Sequence, residues 1–203
     1  EIVDYLKNNI LYKYEIPMYE EKSMRNRYDT EFMINKIEAE LLEKLKFFLF
    51  GDDKKIIEAM LMKYEFKDIK IILRSIVENE KIDLERDTIM YKKNKHIDYS
   101  KLVNCENFNQ ALDVLKGTIY KKAIASLTDE VIFRLHFHVE MKLDSLYFLT
   151  MKNAIDKLSK SSQAIFNDYF STLIDTINLQ WIIRAKKYYD LPNEEIYSYS
   201  LRY

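Results

Sequence analysis

The chain has two glycines, Gly51 and Gly117, and two prolines, Pro17 and Pro192, in 203 residues. Sheet proteins turn roughly every eight to twelve positions, largely with Gly and Pro. So few of either exclude a strand-rich fold and point to an all-α chain. A single cysteine, Cys105, excludes an internal disulfide framework and suits a reducing compartment. No apolar run reaches the roughly 18 residues a membrane span needs, so no direct span is expected. The opening "EIVDYLKNNI" lacks the basic start and apolar run of a signal peptide. Net charge is −1 with acids and lysines interspersed. That removes the basic face or tail that nucleic acid requires. There is no Gly-rich phosphate loop and no Gly-x-Ser-x-Gly.

What is present is helical pattern. Hydrophobic residues make up 48% of the chain, enough to bury a core. Residues 2–14 read as a helix ended by the Ile16-Pro17 step. Over 29–50, Met33, Ile37, Leu41, Leu45 and Leu49 recur every four positions, and Gly51 follows as a stop. Residues 53–77 continue helical, with Asp52 or Asp53 as cap. Residues 79–99 show no sustained period and read as a connector with at most a short helix. Short helices are expected near 107–115 and 117–125. Thr128 then caps a long helix with Asp129 and Glu130 in its first turn, striped by Val131, Leu135, Val139, Leu143, Leu146 and Tyr147. Ser161 or Ser162 caps the next helix, which runs to about Tyr189. "LPNEE" at 191–195 opens a last one, with Pro192 where the missing N–H costs nothing.

The two halves repeat each other. Leu6-Lys7 and Ile10 match Leu115-Lys116 and Ile119 at an offset of 109 (115 − 6). Glu31-x-x-Ile34-Asn35-x-x-Glu38 matches Glu140-x-x-Leu143-Asp144-x-x-Tyr147 at 109 (140 − 31). Glu65-x-x-Asp68-Ile69-Lys70-x-Ile72-Leu73-Arg74 matches Asp175-x-x-Asn178-Leu179-Gln180-x-Ile182-Ile183-Arg184 at 110 (175 − 65). Three segments in one order at nearly one offset indicate an internal duplication of a helical unit.

The repeated polar residues are the candidate site. Asp175 and Asn178 are three apart and share a helix face, whereas Arg184 lies well off it. They must therefore meet partners on other helices or face solvent. A polar network that sets helix register is the first reading, partner binding the second. Glu140 and Asp144, four apart on one face, could be a carboxylate pair, but no Glu-x-x-His or second acidic helix completes a di-metal site. His136 and His138, two apart, point to opposite sides of a helix and do not chelate one metal. Cys105 has no nearby His and reads as a spectator. No catalytic residue, cofactor or metal ligand is expected. The "YSYSLRY" end looks like one that expects more chain or a partner.

These segments resemble a known family. Glu140-x-x-Leu143-Asp144-x-x-Tyr147 resembles a motif of the C subunits of archaeal and bacterial V-type ATP synthases, whose counterpart in the eukaryotic V-ATPase is the d subunit. Ile174-Asp175-x-x-Asn178-Leu179-x-x-x-x-Arg184 and the "LPNEEI" that follows resemble further segments of that family. So do "DIKIILR" at 68–74 and "LKGTIY" at 115–120. The first half departs from the pattern with Asp68 where Asn is usual and Asn35 where Asp is usual.

The resemblance implies an all-α fold of three similar helical units around a pseudo-threefold funnel. Two units are expected here: 1–95, incomplete at its N-terminus, and 96–203, with the third absent. It implies a non-catalytic central-stalk component at the cytoplasmic face of the membrane. Its partners would be the D and F subunits of the central shaft and the membrane rotor ring of proteolipid subunits, with ATP turnover coupled to proton or sodium transport. Asp68, Arg74, Glu140, Asp144, Asp175, Asn178 and Arg184 would position helices or form interfaces. The residues alone reach a helical-repeat scaffold or adaptor, which stands as the alternative.

Overall fold

A computed structural model describes residue 8 and residues 27–93, 96–127 and 135–201. The expected helix over 2–14 and the start at Thr128 with Asp129, Glu130 and Val131 lie outside them. All regular elements among the described residues are helices, so the chain is all-α. Contacts divide it into two compact units, residues 1–49 and 50–203.

In the first unit, α1 spans Arg27–Lys46. Asp29 in its first turn and Lys44 and Lys46 in its last suit the helix dipole. Only the first half of its apolar stripe is buried, with Met33 and Ile37 inside and Leu41 and Leu45 exposed. Phe47 and Phe48 follow, exposed and packed edge to face.

The second unit opens with α2, Gly51–Glu78. Gly51 has φ +59°, a left-handed conformation that suits glycine. Phe50 stands at the N-cap with no side-chain bond, and Asp52 and Asp53 lie in the first turn rather than at the cap. Asn79 ends α2 in left-handed conformation, its N–H and that of Glu80 closing on Ile76 and Ser75 carbonyls. Then come short helices α3 (Leu84–Asp87), α4 (Tyr99–Val103), α5 (Phe108–Val114) and α6 (Ile119–Ile124). Each has the side-chain cap its sequence offers, Asp83, Asp98, Asn107 and Thr118. The connector thus holds the expected short helix, α3, and a helix the pattern did not show, α4, begins at its last residue.

Two long helices complete the unit, α7 (Leu135–Ile155) and α8 (Lys160–Tyr188), followed by α9 (Asn193–Tyr199). Ser159 caps α8, accepting from the Ser162 N–H at 3.3 Å, so Ser161 and Ser162 fall inside the first turn. Helix α7 is the centre of the unit, packed by α2, α6, α8 and α9. The side chains of Phe137, Met141, Trp181, Ala185, Leu191 and Ile196 form one core across α7, α8 and α9. Burying apolar area at about 25 cal/mol per Å² supplies the main attraction that holds these helices together.

Candidate functional site

Helix α2 carries Lys70 and Arg74, four apart; α7 carries Glu140 and Asp144, also four apart. Equal spacing places each pair on one helix face. Lys70 Nζ meets Asp144 Oδ1 at 2.5 Å, and Arg74 Nη2 meets Glu140 Oε1. The pairing crosses low number with high, so α2 and α7 run antiparallel here. From α8, Arg184 Nη1 reaches the other oxygen, Glu140 Oε2, at 2.8 Å. One carboxylate is therefore held by two arginines from two helices.

Glu140 is the most enclosed member, its side chain 12% exposed against 47% for Arg74 and 38% for Arg184. Burial alone would raise its pKa, but Arg184 and then Arg74 outweigh that and hold it below the usual carboxylate range. Asp144 goes the other way, because burial outweighs the help of Lys70 and pushes its carboxyl up. All five groups have opposite-charge partners on a neighbouring helix.

The other expected residues lie outside this node. Asp68 is buried on α2 and accepts from the Ile89 N–H at 3.0 Å and the Met90 N–H at 2.7 Å. Burial drives its pKa up to about 7 against the pull of those two donors. Asn178, at the matching repeat position (178 − 68 = 110), does the same work on α8. Its Nδ2 donates to the Leu201 carbonyl at 2.9 Å, and its Oδ1 accepts from the Leu201 N–H at 2.8 Å. In both repeats one side chain ties the chain that leaves the helix back onto it, 21 or 22 residues on for Asp68 and 23 for Asn178. Asp175 is exposed and joins no ion pair among the described residues.

Several contacts escaped the sequence reading. Lys70 was legible in principle, since it stands four before Arg74 as Glu140 stands four before Asp144. The Tyr120 hydroxyl donates to Glu65, and burial together with that carboxylate raises the phenol's pKa. Buried His138 has its Nδ1 2.6 Å from the Tyr199 hydroxyl and its Nε2 3.5 Å from Glu195 Oε1, fastening α9 to α7. Among the described residues no group of three or more His, Cys, Asp or Glu could hold a metal ion.

A family model described as ATP synthase (C/AC39) subunit matches residues 1–202. The chain belongs to this family. The C subunit of the A-type ATP synthase of Methanosarcina acetivorans is 23% identical over 158 residues, 77% of this chain and 43% of the relative. Its counterpart in the A-type ATP synthase of Methanosphaera stadtmanae is 24% identical over 164 residues, 79% of this chain and 42% of the relative. The chain therefore spans less than half the length of these curated relatives. No solved structure gives a significant match. Among the described residues of this family member, no helix is long and apolar enough to cross a membrane.

Proposed function

We propose that this chain is a non-catalytic central-stalk part of a rotary A/V-type ATP synthase, linking the central shaft to the membrane rotor ring. The observation that carries this reading is the family match over residues 1–202. The node supports it. Two arginines and a lysine neutralise two carboxylates between three helices, a stiffening device for an element that carries load. On this reading the chain lies at the cytoplasmic face of the membrane, with the D and F subunits of the shaft on one side and the proteolipid ring on the other. The reading includes the pseudo-threefold funnel and the repeat boundary between residues 95 and 96.

Co-purification tests it. The tagged full-length protein is mixed with the D–F pair and, separately, with detergent-solubilised ring. Capture of both is expected. Capture of neither by a folded protein overturns the coupling reading in favour of a helical-repeat scaffold.

A further inference from the structure

The last helix has little of its own to hold it. Helix α9 has seven residues, too few for a helix to persist alone, and Pro192 at its N-cap makes no side-chain bond. Ile196 is its one buried residue. The turn before it is tied by Lys186 Nζ, which donates to the Leu191 carbonyl at 3.2 Å. The segment after it is tied by Asn178 to Leu201. An element held by so few contacts opens locally at low free-energy cost, so one added charge changes how often it opens.

Two contacts from α9 meet on one ring. His138 on α7 is 4% exposed. Its Nδ1 lies 2.6 Å from the Tyr199 hydroxyl and its Nε2 3.5 Å from Glu195 Oε1. Glu195 and Tyr199 are four apart, so one face of α9 takes both edges of the imidazole. Burial and then Glu195 raise the Tyr199 phenol above its ordinary range, so the hydroxyl keeps its proton and donates to Nδ1. The proton of the neutral ring then sits on Nε2, toward Glu195. At 3.5 Å that contact is longer than a formed hydrogen bond. The Glu195 side chain is 31% exposed and has room to move in. Other charges nearby are few among the described residues. Lys142, four on from His138, has its Nζ 6.0 Å from the centre of the Tyr199 ring. Glu140, two on, points about 200° round α7 and engages Arg74 and Arg184 on that side. From the α8 end, Lys186 is bound to Leu191 and Tyr189 packs on Phe137 at 4.7 Å between ring centres.

We infer that His138 is a proton-operated catch for α9: when the ring takes up a second proton from water, Nε2 draws Glu195 in as an ion pair and α9 seats more firmly. Nδ1 then carries a hydrogen and donates to the Tyr199 oxygen, whose own hydrogen turns outward. Both forms of the ring find a partner at each nitrogen. The charged form alone gains attraction to a carboxylate, in a site largely closed to water where that attraction is strong. The gain is present while the ring is charged and is lost as pH rises through the point where the folded protein releases that proton. Two contacts on the same face of α9 respond to one titration, so the helix moves as a unit. The inference rests on this geometry and stands apart from the rotary reading.

Hydrogen exchange on the full chain at about pH 6 and about pH 8.5, corrected for intrinsic rates, tests it across the range in which an imidazole takes its proton. Protection over residues 193–201 should be roughly threefold or more greater at the acid end. Glu195→Gln, at a partly exposed site, keeps a hydrogen-bond acceptor without the charge and should remove most of that difference. His138→Gln should remove it as well; if that variant does not fold, Glu195→Gln decides. Imidazole nitrogen resonances should show His138 becoming protonated as pH falls, and at lower pH in Glu195→Gln than in the wild type. Equal protection at the two pH values overturns the inference. So does greater protection at the alkaline end, or an acid gain that survives Glu195→Gln. A His138 ring that stays neutral down to about pH 5 overturns it too.

Discussion

Asp68 and Asn178 hold one repeat position with different chemistry, and the difference has a pH signature. The Asp68 pKa is raised by burial to about 7, above its value in an unfolded chain. For an acid so shifted, the stabilising contribution is complete below the unfolded pKa, near 3.8, and is lost as pH rises through about 7. Asp68→Asn should therefore match or slightly trail the wild type near pH 4 and exceed it at pH 8. Thermal melts across that range should show a gain of roughly 2–4 °C or more at the alkaline end. Glu140 is the opposite case, its pKa depressed, so its contribution is present above the ordinary carboxylate range and lost only in acid. Glu140→Ala strips two half-exposed arginines of their shared partner and should cost roughly 1.5–3 kcal/mol in urea unfolding at pH 7. The sequence showed that Asp68 departed from the expected residue. It could not show the reason, because its partners are backbone N–H groups 21 and 22 positions away, and any residue supplies one.

At the scale of elements, helices were legible where apolar spacing persisted and obscure where only capping marked them. The long helices α2, α7 and α8 lie where the sequence reading placed long helices, while α4 has five residues, too few to show a period. Ser159 was overlooked as the cap of α8 because Ser161 and Ser162 carry the same hydroxyl; the extended backbone at Ser159, φ −60° and ψ 152°, decides the choice. Element docking is where Asn178 matters. Its amide holds the chain after α9 through both backbone groups of Leu201. Asn178→Ala should release that segment at a cost of roughly 1–3 kcal/mol. Hydrogen exchange should show faster exchange over 196–201 with α2 unchanged. Asn178→Asp should loosen it further at neutral pH, because a carboxylate would face the Leu201 carbonyl. Of the seven candidate residues, four converge on the node: Arg74, Glu140, Asp144 and Arg184. Helical spacing foretold that Arg184 would leave the face of Asn178; which carboxylate it met depended on how three helices pack.

For the whole molecule, the most informative sequence signal was the match at an offset of 110, which paired Asp68 with Asn178 and Arg74 with Arg184. Its test is the paired substitution Arg74→Ala with Arg184→Ala. With both arginines gone, Glu140 is enclosed without its strongest partners. The melting temperature should fall and, on the proposed coupling reading, capture of shaft and ring should weaken with it. Lysine at both positions should restore part of each, since a point charge replaces a planar fork. A double-alanine protein that assembles and couples as the wild type does would remove the helix-positioning role. One tryptophan serves all of these measurements. Trp181 lies in the core where α7, α8 and α9 meet, in contact with that cluster from Phe137 to Ile196. Excited apart from the 16 tyrosines, its emission reports on the joint between the last helix and the body. The chain thus carries its own optical gauge of whether α9 is seated, readable without a label.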